Sequence, residues 1–356
     1  MNRLQSKLEK IGRDPQITAR SVGLRYAPNC DKGYYRIKKG NGFIYIDQDK
    51  AKVSDPEILG RIQKLVIPPA WENVWISSFE NGHLQATGND AKGRKQYRYH
   101  THWNQIRNQS KFYRLRSFAQ VLPLIRKAVN RDLNKKGLPY EKVIALVVKL
   151  IEMTNIRIGN SAYKELYHSF GLTTLQDKHV AFKGQNISFE FTGKKGIKHS
   201  IRLQSRKLAN LVKKCKDIPG QDLFQYYDHD GHRHTIGSSD VNNYLKETTG
   251  EDFTAKDYRV WAASVNALSS FLDAEKPENE SQSHKKIIEV LDSVASKLGN
   301  TRSVCRKYYV HPTVIASYVK GSVWKYKPRK NPGNLQPEER ALVRLLERET
   351  IAEALA

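Results

Sequence analysis

The segment VIALVVKLIEMTNIRIGN, from Val143 to Asn160, gives the strongest indication of how the second half of the chain folds. Its first part, up to Met153, is almost entirely apolar and predicts a buried helix. A polar segment follows directly and contains Arg157, whose guanidinium is therefore expected in a loop on a rigid base. The pattern predicts a helical domain with a cationic loop at the end of its most apolar helix.

Helical patterns surround this stretch. Apolar residues recur at helical spacing from Phe118 to Val129, where Pro123 predicts a break or a kink. Further helices are predicted at Thr254–Phe271, at Lys285–Leu298, which Gly299 would end, and from Pro337 onward. The polar segment Glu275–His284 between two of these helices is expected to be a mobile surface loop.

Strand patterns occur in two places. Residues 180–203 alternate apolar and polar side chains around two turns, which predicts a small antiparallel sheet with Lys194 at or beside a hairpin tip. Residues 34–46 and 74–86 each predict a β-hairpin, with turns at Gly40-Asn41-Gly42 and Asn81-Gly82. The fold class is therefore α+β, with a β-rich N-terminal domain at 1–105 and a mainly helical C-terminal domain with a small antiparallel sheet at 106–356.

The net charge of the chain indicates the class of its binding partner. The 356 residues carry 61 Lys and Arg against 36 Asp and Glu, a net charge of +25. Such an excess favours a polyanion, because each cation that neutralises a phosphate releases a counterion. Basic and aromatic residues interleave in RKQYRYH at 94–100, as on surfaces that contact nucleic acid. A soluble basic protein without such a partner is the alternative.

Compartment and cofactors follow from what the sequence lacks. It has no apolar run long enough to cross a bilayer, and Met1–Arg13 lacks the apolar core of a signal peptide. Cys30, Cys215 and Cys305 are far apart and form no CxxC pair, which fits a reducing compartment. The HDGHRH run at 229–234 contains a turn signal and is interpreted as a solvated turn rather than a zinc site. A cytoplasmic protein without a metal or cofactor is expected.

Five positions carry chemistry if a phosphodiester is the target. They are Arg157, Lys194 on the predicted hairpin, Arg259 near the start of a helix, Asn300 after Gly299, and one of the adjacent tyrosines Tyr308 and Tyr309. Two arginines can hold the non-bridging phosphate oxygens and stabilise a pentacoordinate transition state. A tyrosine hydroxyl, with an ordinary pKa of about 10, needs such positive charge to act as a nucleophile.

At these residues the sequence resembles the type IB DNA topoisomerases, specifically the small bacterial and poxvirus-like group. Similar strings, in the same order, cover most of the chain: LVIPPAW at 65–71, GRKQY at 93–97, IRIGN at 156–160, SFGLTTL at 169–175, FTAKDYR at 253–259, and LGNT at 298–301 with the segment up to Tyr309. The resemblance implies a DNA clamp that nicks one strand through a 3′-phosphotyrosyl link, allows rotation and reseals, without ATP or metal. It implies relaxation of both positive and negative supercoils.

The resemblance also assigns the site. It selects Tyr309 over Tyr308 as the nucleophile and Lys194 over Lys195 as the general acid, assisted by Arg157, Arg259 and Asn300. Poxvirus members have histidine at the position of Asn300, so a weaker electrostatic contribution is expected there. Residues implied to contact double-stranded DNA are Arg94, Tyr97, Tyr99, Tyr163 and Lys256. The implied protein is a nucleoid-associated monomer.

Two alternatives remain at this point. A tyrosine recombinase uses the same nucleophile, but recombinases usually present a His-x-x-Arg box, and Lys256 stands three residues before Arg259 here. A non-catalytic DNA-compacting protein would use only the charge and would keep its function without Tyr309.

Overall fold

The computed structural model describes residues 11, 14–28, 32–40, 42–91, 93–329 and 333–348. The chain divides into two compact units, Met1–Arg114 and Leu115–Ala356. The predicted boundary at residue 105 lies within a helix, Thr101–Tyr113, of the first unit. Cys30 and almost all of the Met1–Arg13 segment lie outside the described residues, as does Asn41 in the first predicted turn.

The first unit is built on one antiparallel sheet. Its order is β2-β1-β3-β4-β5, and the two predicted hairpins, β1 with β2 and β3 with β4, are confirmed. The elements are α1 (Pro15–Ser21), β1 (Gly33–Lys39), β2 (Gly42–Ile46), α2 (Pro56–Lys64), β3 (Glu72–Ser77), β4 (Leu84–Asn89), β5 (Lys95–Tyr99) and α3 (Thr101–Tyr113). Helix α2 places Ile62 against Val74, Ile76 and Ala86 of the sheet, and this contact forms a core.

The second unit is mainly helical. Its helices are α4 (Leu115–Asp132), α5 (Tyr140–Thr154), α6 (Ser161–Tyr167), α7 (Arg206–Lys216), α8 (Ser238–Thr249), α9 (Ala255–Leu272), α10 (Glu280–Leu298), α11 (Arg302–Tyr308), α12 (Pro312–Val319) and α13 (Pro337–Arg348). Its strands are β6 (Val180–Lys183), β7 (Asn186–Thr192), β8 (Lys198–Gln204), β9 (Gln225–Tyr227) and β10 (Arg233–Thr235). The predicted α+β class is confirmed.

Helix α9 is central to this unit. It packs against α4, α5, α10, α12 and α13, and most of its residues from Ala255 to Leu272 are buried. Helix α5 is apolar around its whole circumference, with Val143 to Val148 buried without interruption. Side chains on α9, or in the loop that ends α5, are therefore attached to the most rigid part of the unit.

The predicted small sheet is the antiparallel β6-β7-β8. Ile187, Phe189 and Phe191 are buried on one face of β7, as the alternation predicted. A two-residue turn joins β6 to β7, with Lys183 opposite Asn186, and a 3₁₀ turn at Lys194–Gly196 joins β7 to β8. The sheet thus ends in a short turn that carries Lys194.

Two local predictions differ in part from the structure. The break predicted at Pro123 does not occur: helix α4 runs through it from Leu115 to Asp132, and buried Leu122 and Ile125 keep that face packed. Helix α10 begins at Glu280, so half of the predicted mobile loop Glu275–His284 is helical. The reason is an N-cap, since the Asn279 side chain accepts a hydrogen bond from the backbone nitrogen of Gln282 at 2.9 Å.

Within the described residues, no helix combines the length and the apolar character that a membrane crossing requires.

Candidate active site

Four of the five predicted residues meet in the second unit. Arg157 lies in the loop after α5. The helix is capped by Asn155, whose backbone has the left-handed conformation with φ 55°. The Nη2 atom of Arg157 donates to the carbonyl oxygen of Gly299 at 2.9 Å and also to Oδ1 of Asn300. Gly299 ends α10 with φ 58°, so the left-handed turn at this glycine presents Asn300 to the arginine.

Arg259 lies in the first turns of α9 and is only 4% exposed. Its Nη2 atom donates to the Leu298 carbonyl oxygen at 2.8 Å, and Nη1 donates to the Asn155 carbonyl oxygen. Its Cζ atom is 5.4 Å from the centroid of the Tyr309 ring. The buried guanidinium therefore joins the loop after α5, the end of α10 and the tyrosine.

Burial dominates the electrostatics of Arg259. It lowers the pKa of this guanidinium to about 10; Tyr309 opposes the shift, and the neighbouring Arg157 adds to it. A pKa of about 10 still leaves Arg259 charged at pH 7. Two arginines thus share one poorly solvated region, an arrangement that an anion between them would stabilise.

Tyr309 follows the last residue of α11, and its backbone is held on both sides. Its nitrogen donates to the Cys305 carbonyl oxygen at 3.0 Å, and its carbonyl oxygen accepts a hydrogen bond from Oγ of Ser264 at 3.2 Å. Oγ of Ser264 in turn accepts from the backbone nitrogen of His311 at 3.0 Å. Ser264 lies on α9, the helix of Arg259, so one helix positions both the arginine and the tyrosine.

The sequence alone did not identify Ser264. A serine in an apolar helical pattern has no distinguishing local signal, and its role depends on a segment 45 positions later in the chain. Cys305 is buried close to the same residues. Burial raises the pKa of its thiol, and Arg259, Asn300 and Arg157 oppose that rise.

Tyr308 and Tyr309 differ in their surroundings. The Tyr309 ring faces the Arg259 guanidinium, whereas the Tyr308 ring lies 5.5 Å from Nζ of Lys307 on the same helix. Of these two contacts, only that of Tyr309 involves one of the site arginines.

Lys194 is not joined to the other four by a direct contact. It lies in the exposed 3₁₀ turn Lys194–Gly196, and its side chain forms no hydrogen bond or ion pair with any residue in the described part of the chain. Lys195, in the same turn, has φ 64°. The turn therefore presents a lysine ammonium that is free to reach a bound polyanion.

Two donors of the cluster lack acceptors. Nε of Arg259 and Nδ2 of Asn300 are buried without a hydrogen-bond partner among the residues that the structure describes. A buried donor left unpaired costs about 1–3 kcal/mol. Both atoms are covered from solvent, so a phosphate would reach them only after neighbouring side chains shift.

The predicted DNA-contact residues have different environments. Tyr97 is 48% exposed, and its ring stacks on Tyr99 at 5.9 Å. Arg94 is paired with Asp90 through Nε at 2.8 Å, which already neutralises its charge. Tyr163 on α6 and Lys256 on α9 are both exposed, Lys256 three residues before Arg259.

His199 on β8 is a second residue that the sequence alone did not identify. Its imidazole stacks on Phe191 at 4.8 Å with 15° between the ring planes. Phe191 is its register partner across β7 and β8. Alternation from the buried Phe189 and Phe191, carried across the hairpin, was the signal that could have placed His199 on the inner face.

The histidine-rich segment at 229–234 is the turn between β9 and β10 together with β10 itself. Asp228, Asp230 and His232 have ligand atoms within 4.8 Å of one another, and all are at least partly exposed. The Asp228 carboxylate accepts from the backbone nitrogens of Asp230 and His232 and lies 2.6 Å from Nε2 of His234. These contacts give the carboxylate a role in closing the turn.

Comparison with known proteins gives two family matches. Residues 100–330 match the family described as eukaryotic DNA topoisomerase I, catalytic core, and residues 42–90 match the bacterial DNA topoisomerase IB, N-terminal domain. The first match covers the cluster of Arg157, Arg259, Asn300 and Tyr309.

Individual relatives agree with these matches. The chain is 35% identical to DNA topoisomerase 1B of Acanthamoeba polyphaga mimivirus over 294 residues, which is 81% of this chain and 88% of the relative. It is 24% identical to DNA topoisomerase 1B of vaccinia virus (strain Copenhagen) over 250 residues, 69% of this chain and 75% of the relative. These relatives are viral, and a bacterial source for the chain stays a prediction. The length and identity of the mimivirus match, together with the catalytic-core match over residues 100–330, show that this chain belongs to the type IB DNA topoisomerases.

Proposed function

We propose that this topoisomerase relaxes positive and negative supercoils by cutting one strand through a 3′-phosphotyrosyl intermediate, allowing rotation and rejoining the strand, without ATP or metal. The observation that carries the proposal is the contact of the buried Arg259 guanidinium with the Tyr309 ring, beside an arginine that pairs with Asn300. These groups come from four separate chain segments, and each has a use in phosphoryl transfer.

In the cleavage step, Oη of Tyr309 bonds to the scissile phosphorus while the bond from phosphorus to the 5′ oxygen breaks. The hydroxyl proton of Tyr309 passes to water. The departing 5′ oxygen takes a proton from Nζ of Lys194, whose exposed turn leaves it free to approach bound DNA. Rejoining is the reverse, so the phosphodiester bond energy is conserved in the covalent link.

Arg157 and Arg259 would bind the non-bridging oxygens and stabilise the charge that develops in the transition state. Their present acceptors include the carbonyl oxygens of Leu298 and Gly299. Asn300 would add a neutral donor through Nδ2, which lacks a partner among the described residues. Phosphate binding would therefore replace neutral or missing acceptors with a charged one.

Double-stranded DNA is the proposed partner of a protein acting as a monomer. Tyr97 and Tyr99 in the first unit, and Tyr163 and Lys256 in the second, would contact the duplex. Arg94 is expected to contribute less, because Asp90 already occupies its guanidinium.

The test uses supercoiled plasmid in EDTA without ATP. The wild type and Tyr308→Phe are expected to relax plasmids of either supercoil sign, whereas Tyr309→Phe is expected to bind DNA without relaxing it. Tyr308→Phe is the matched control, because it removes the same hydroxyl from the adjacent residue. When the protein is denatured during a reaction on end-labelled DNA, it should be found covalently attached to the 3′ end of the broken strand.

Four outcomes would contradict the proposal. Relaxation by Tyr309→Phe would show that Tyr309 is not the nucleophile. Protein attached to the 5′ end of the broken strand would show that the covalent link has the opposite polarity. Binding without relaxation by the wild type would favour a DNA-compacting role. Strand exchange between two duplexes would favour the recombinase alternative.

A further inference from the structure

His199 lies between two of the proposed catalytic residues but has no part in the chemistry described above. It follows Lys194 by five positions on β8, and Phe191 covers one face of its ring. Its neighbours come from both the sheet and the end of α10, two parts of the unit that are distant in sequence. The imidazole is therefore a point of contact between them.

The contacts of the ring involve two glycines. A Cβ atom added at Gly193 would lie 2.7 Å from both Cδ2 and Nε2 of His199, which is closer than real contacts allow. A Cβ atom at Gly299 would overlap Cε1 of the same ring. Gly193 directly precedes Lys194, and Gly299 directly precedes Asn300. The imidazole thus separates the backbone that carries the proposed acid from the backbone that carries the proposed oxyanion donor.

The charges around the ring favour its neutral form. Burial lowers the pKa of His199, and Arg157 and Arg259 lower it further. Phe191, Gly193 and Gly299 also lie against the ring, and none of the three carries a charge. Protonation would place a third cation beside the two arginines, so a neutral ring of fixed size suits this position.

We propose that His199 is a positioning residue that sets the spacing between the Lys194 turn and the Gly299-Asn300 loop, so that both act on the same phosphate. In this role it would act through the positions of Lys194 and Asn300 and not by binding the phosphate itself. The inference rests on the proposed function, since it assumes that Lys194 is the proton donor.

The first experiment measures single-turnover cleavage of two DNA substrates, with oxygen or sulfur as the bridging 5′ atom. A thiolate leaves without needing a proton, so the sulfur substrate bypasses Lys194. His199→Ala is expected to slow cleavage of the oxygen substrate by about 100-fold, the effect of an ångström-scale misplacement, and to slow the sulfur substrate much less. DNA affinity should stay unchanged.

His199→Phe is the conservative variant, because it keeps an aromatic ring on Phe191 and cannot be protonated. It should restore most of the cleavage rate. Ser200→Ala, on the exposed neighbour of His199 in β8, is the matched control and should behave as the wild type.

A second experiment tests the ring contact itself. Gly193 has φ −96°, so alanine is compatible with its backbone and only the contact with the imidazole opposes it. Gly193→Ala should slow cleavage in the wild-type background and have little further effect in His199→Ala, where the ring is absent. Additive effects of the two substitutions would refute the contact.

The results separate this inference from the proposed function. If Tyr309→Phe is inactive and His199→Ala cleaves the oxygen substrate at the wild-type rate, the function stands and the inference fails. The inference also fails if His199→Ala slows both substrates equally, because that pattern indicates a general structural role. Should His199→Ala fail to fold, His199→Phe and Gly193→Ala carry the test. Activity in Tyr309→Phe would overturn the function instead.

Discussion

Acidification is expected to destabilise the second unit through His311. This residue is 2% exposed, its Nδ1 atom accepts from the Thr313 nitrogen at 3.2 Å, and its backbone nitrogen binds Ser264. Burial lowers the pKa of the imidazole to about 3, against an ordinary value of 6.5. The folded protein therefore keeps His311 neutral at a pH where the unfolded chain binds a proton.

The sign and size of the effect follow from proton linkage. A depressed histidine pKa gives stability that is present above about pH 6.5 and is lost as the pH falls toward about 3, at about 1.4 kcal/mol per pH unit. Lowering the pH from 7 to 5 should therefore cost about 2 kcal/mol of unfolding free energy. Because Ser264 also binds the Tyr309 carbonyl, the loss would loosen the segment that carries the proposed nucleophile.

The assay is urea unfolding at pH 7 and pH 5 for the wild type and His311→Asn. Asparagine keeps an N-cap acceptor for α12 but does not titrate. Burial also lowers the pKa of His83, His179 and His199, and their contributions cancel in the comparison. The wild type should lose about 2 kcal/mol more than the variant. If the wild type and the variant lose the same unfolding free energy, or if His311 titrates near pH 6.5 by NMR in the folded protein, burial does not keep this imidazole neutral.

Three other perturbations test the packing, the arginine loop and DNA binding. Glu339→Ala should destabilise the protein by about 1–3 kcal/mol, measured in urea, because Arg126 would lose its two bonds to this carboxylate at 2.7 and 2.9 Å and buried Nε1 of Trp261 would lose its acceptor, while Glu152 still pairs with Arg126. A loss below about 1 kcal/mol would mean that the pair is effectively solvated. Gly171→Ala should slow DNA cleavage by about 100-fold without loss of DNA binding, because the added Cβ atom would displace the backbone that carries Arg157. This atom would lie 2.5 Å from the Gly159 nitrogen and 2.6 Å from the Arg157 carbonyl oxygen. An unchanged cleavage rate would show that the Arg157 loop can move without affecting the site. The relaxation rate should rise and then fall with salt, as product release speeds up before binding is lost; a rate that only falls from the lowest salt upward would contradict this.

Much of the secondary structure was predictable because its signals are local. The hairpin of β3 and β4 follows from Asn81-Gly82 between apolar runs, and the end of α10 follows from Gly299, whose φ of 58° suits glycine. The unbroken helix at Pro123 and the start of α10 at Glu280 were not predicted. In the first case tertiary packing outweighed a local preference, and in the second a polar composition concealed an N-cap.

The candidate site was predictable only as a set of residues. The roles of Arg157, Lys194, Arg259, Asn300 and Tyr309 came from resemblance and stay predictions. Ser264 and His199 carry no local signal of function, because a buried serine and a strand histidine are common in any fold. What marks them is contact with Tyr309, Gly193 and Gly299, which are distant from them in sequence or lie across a hairpin turn.

Periodicity, turn residues and composition act within short stretches of chain, so most helices and strands, the net charge of +25 and the available chemical groups could be inferred before folding was considered. The contact of Arg259 with Tyr309, the pairing of Arg157 with Asn300 and the position of the His199 ring between two glycine loops arise only in the folded chain. These contacts join segments that meet only when α5, α9, α10 and the small sheet pack together. Burial is also what shifts the pKa values of Arg259 and His311, and burial is a property of the folded chain.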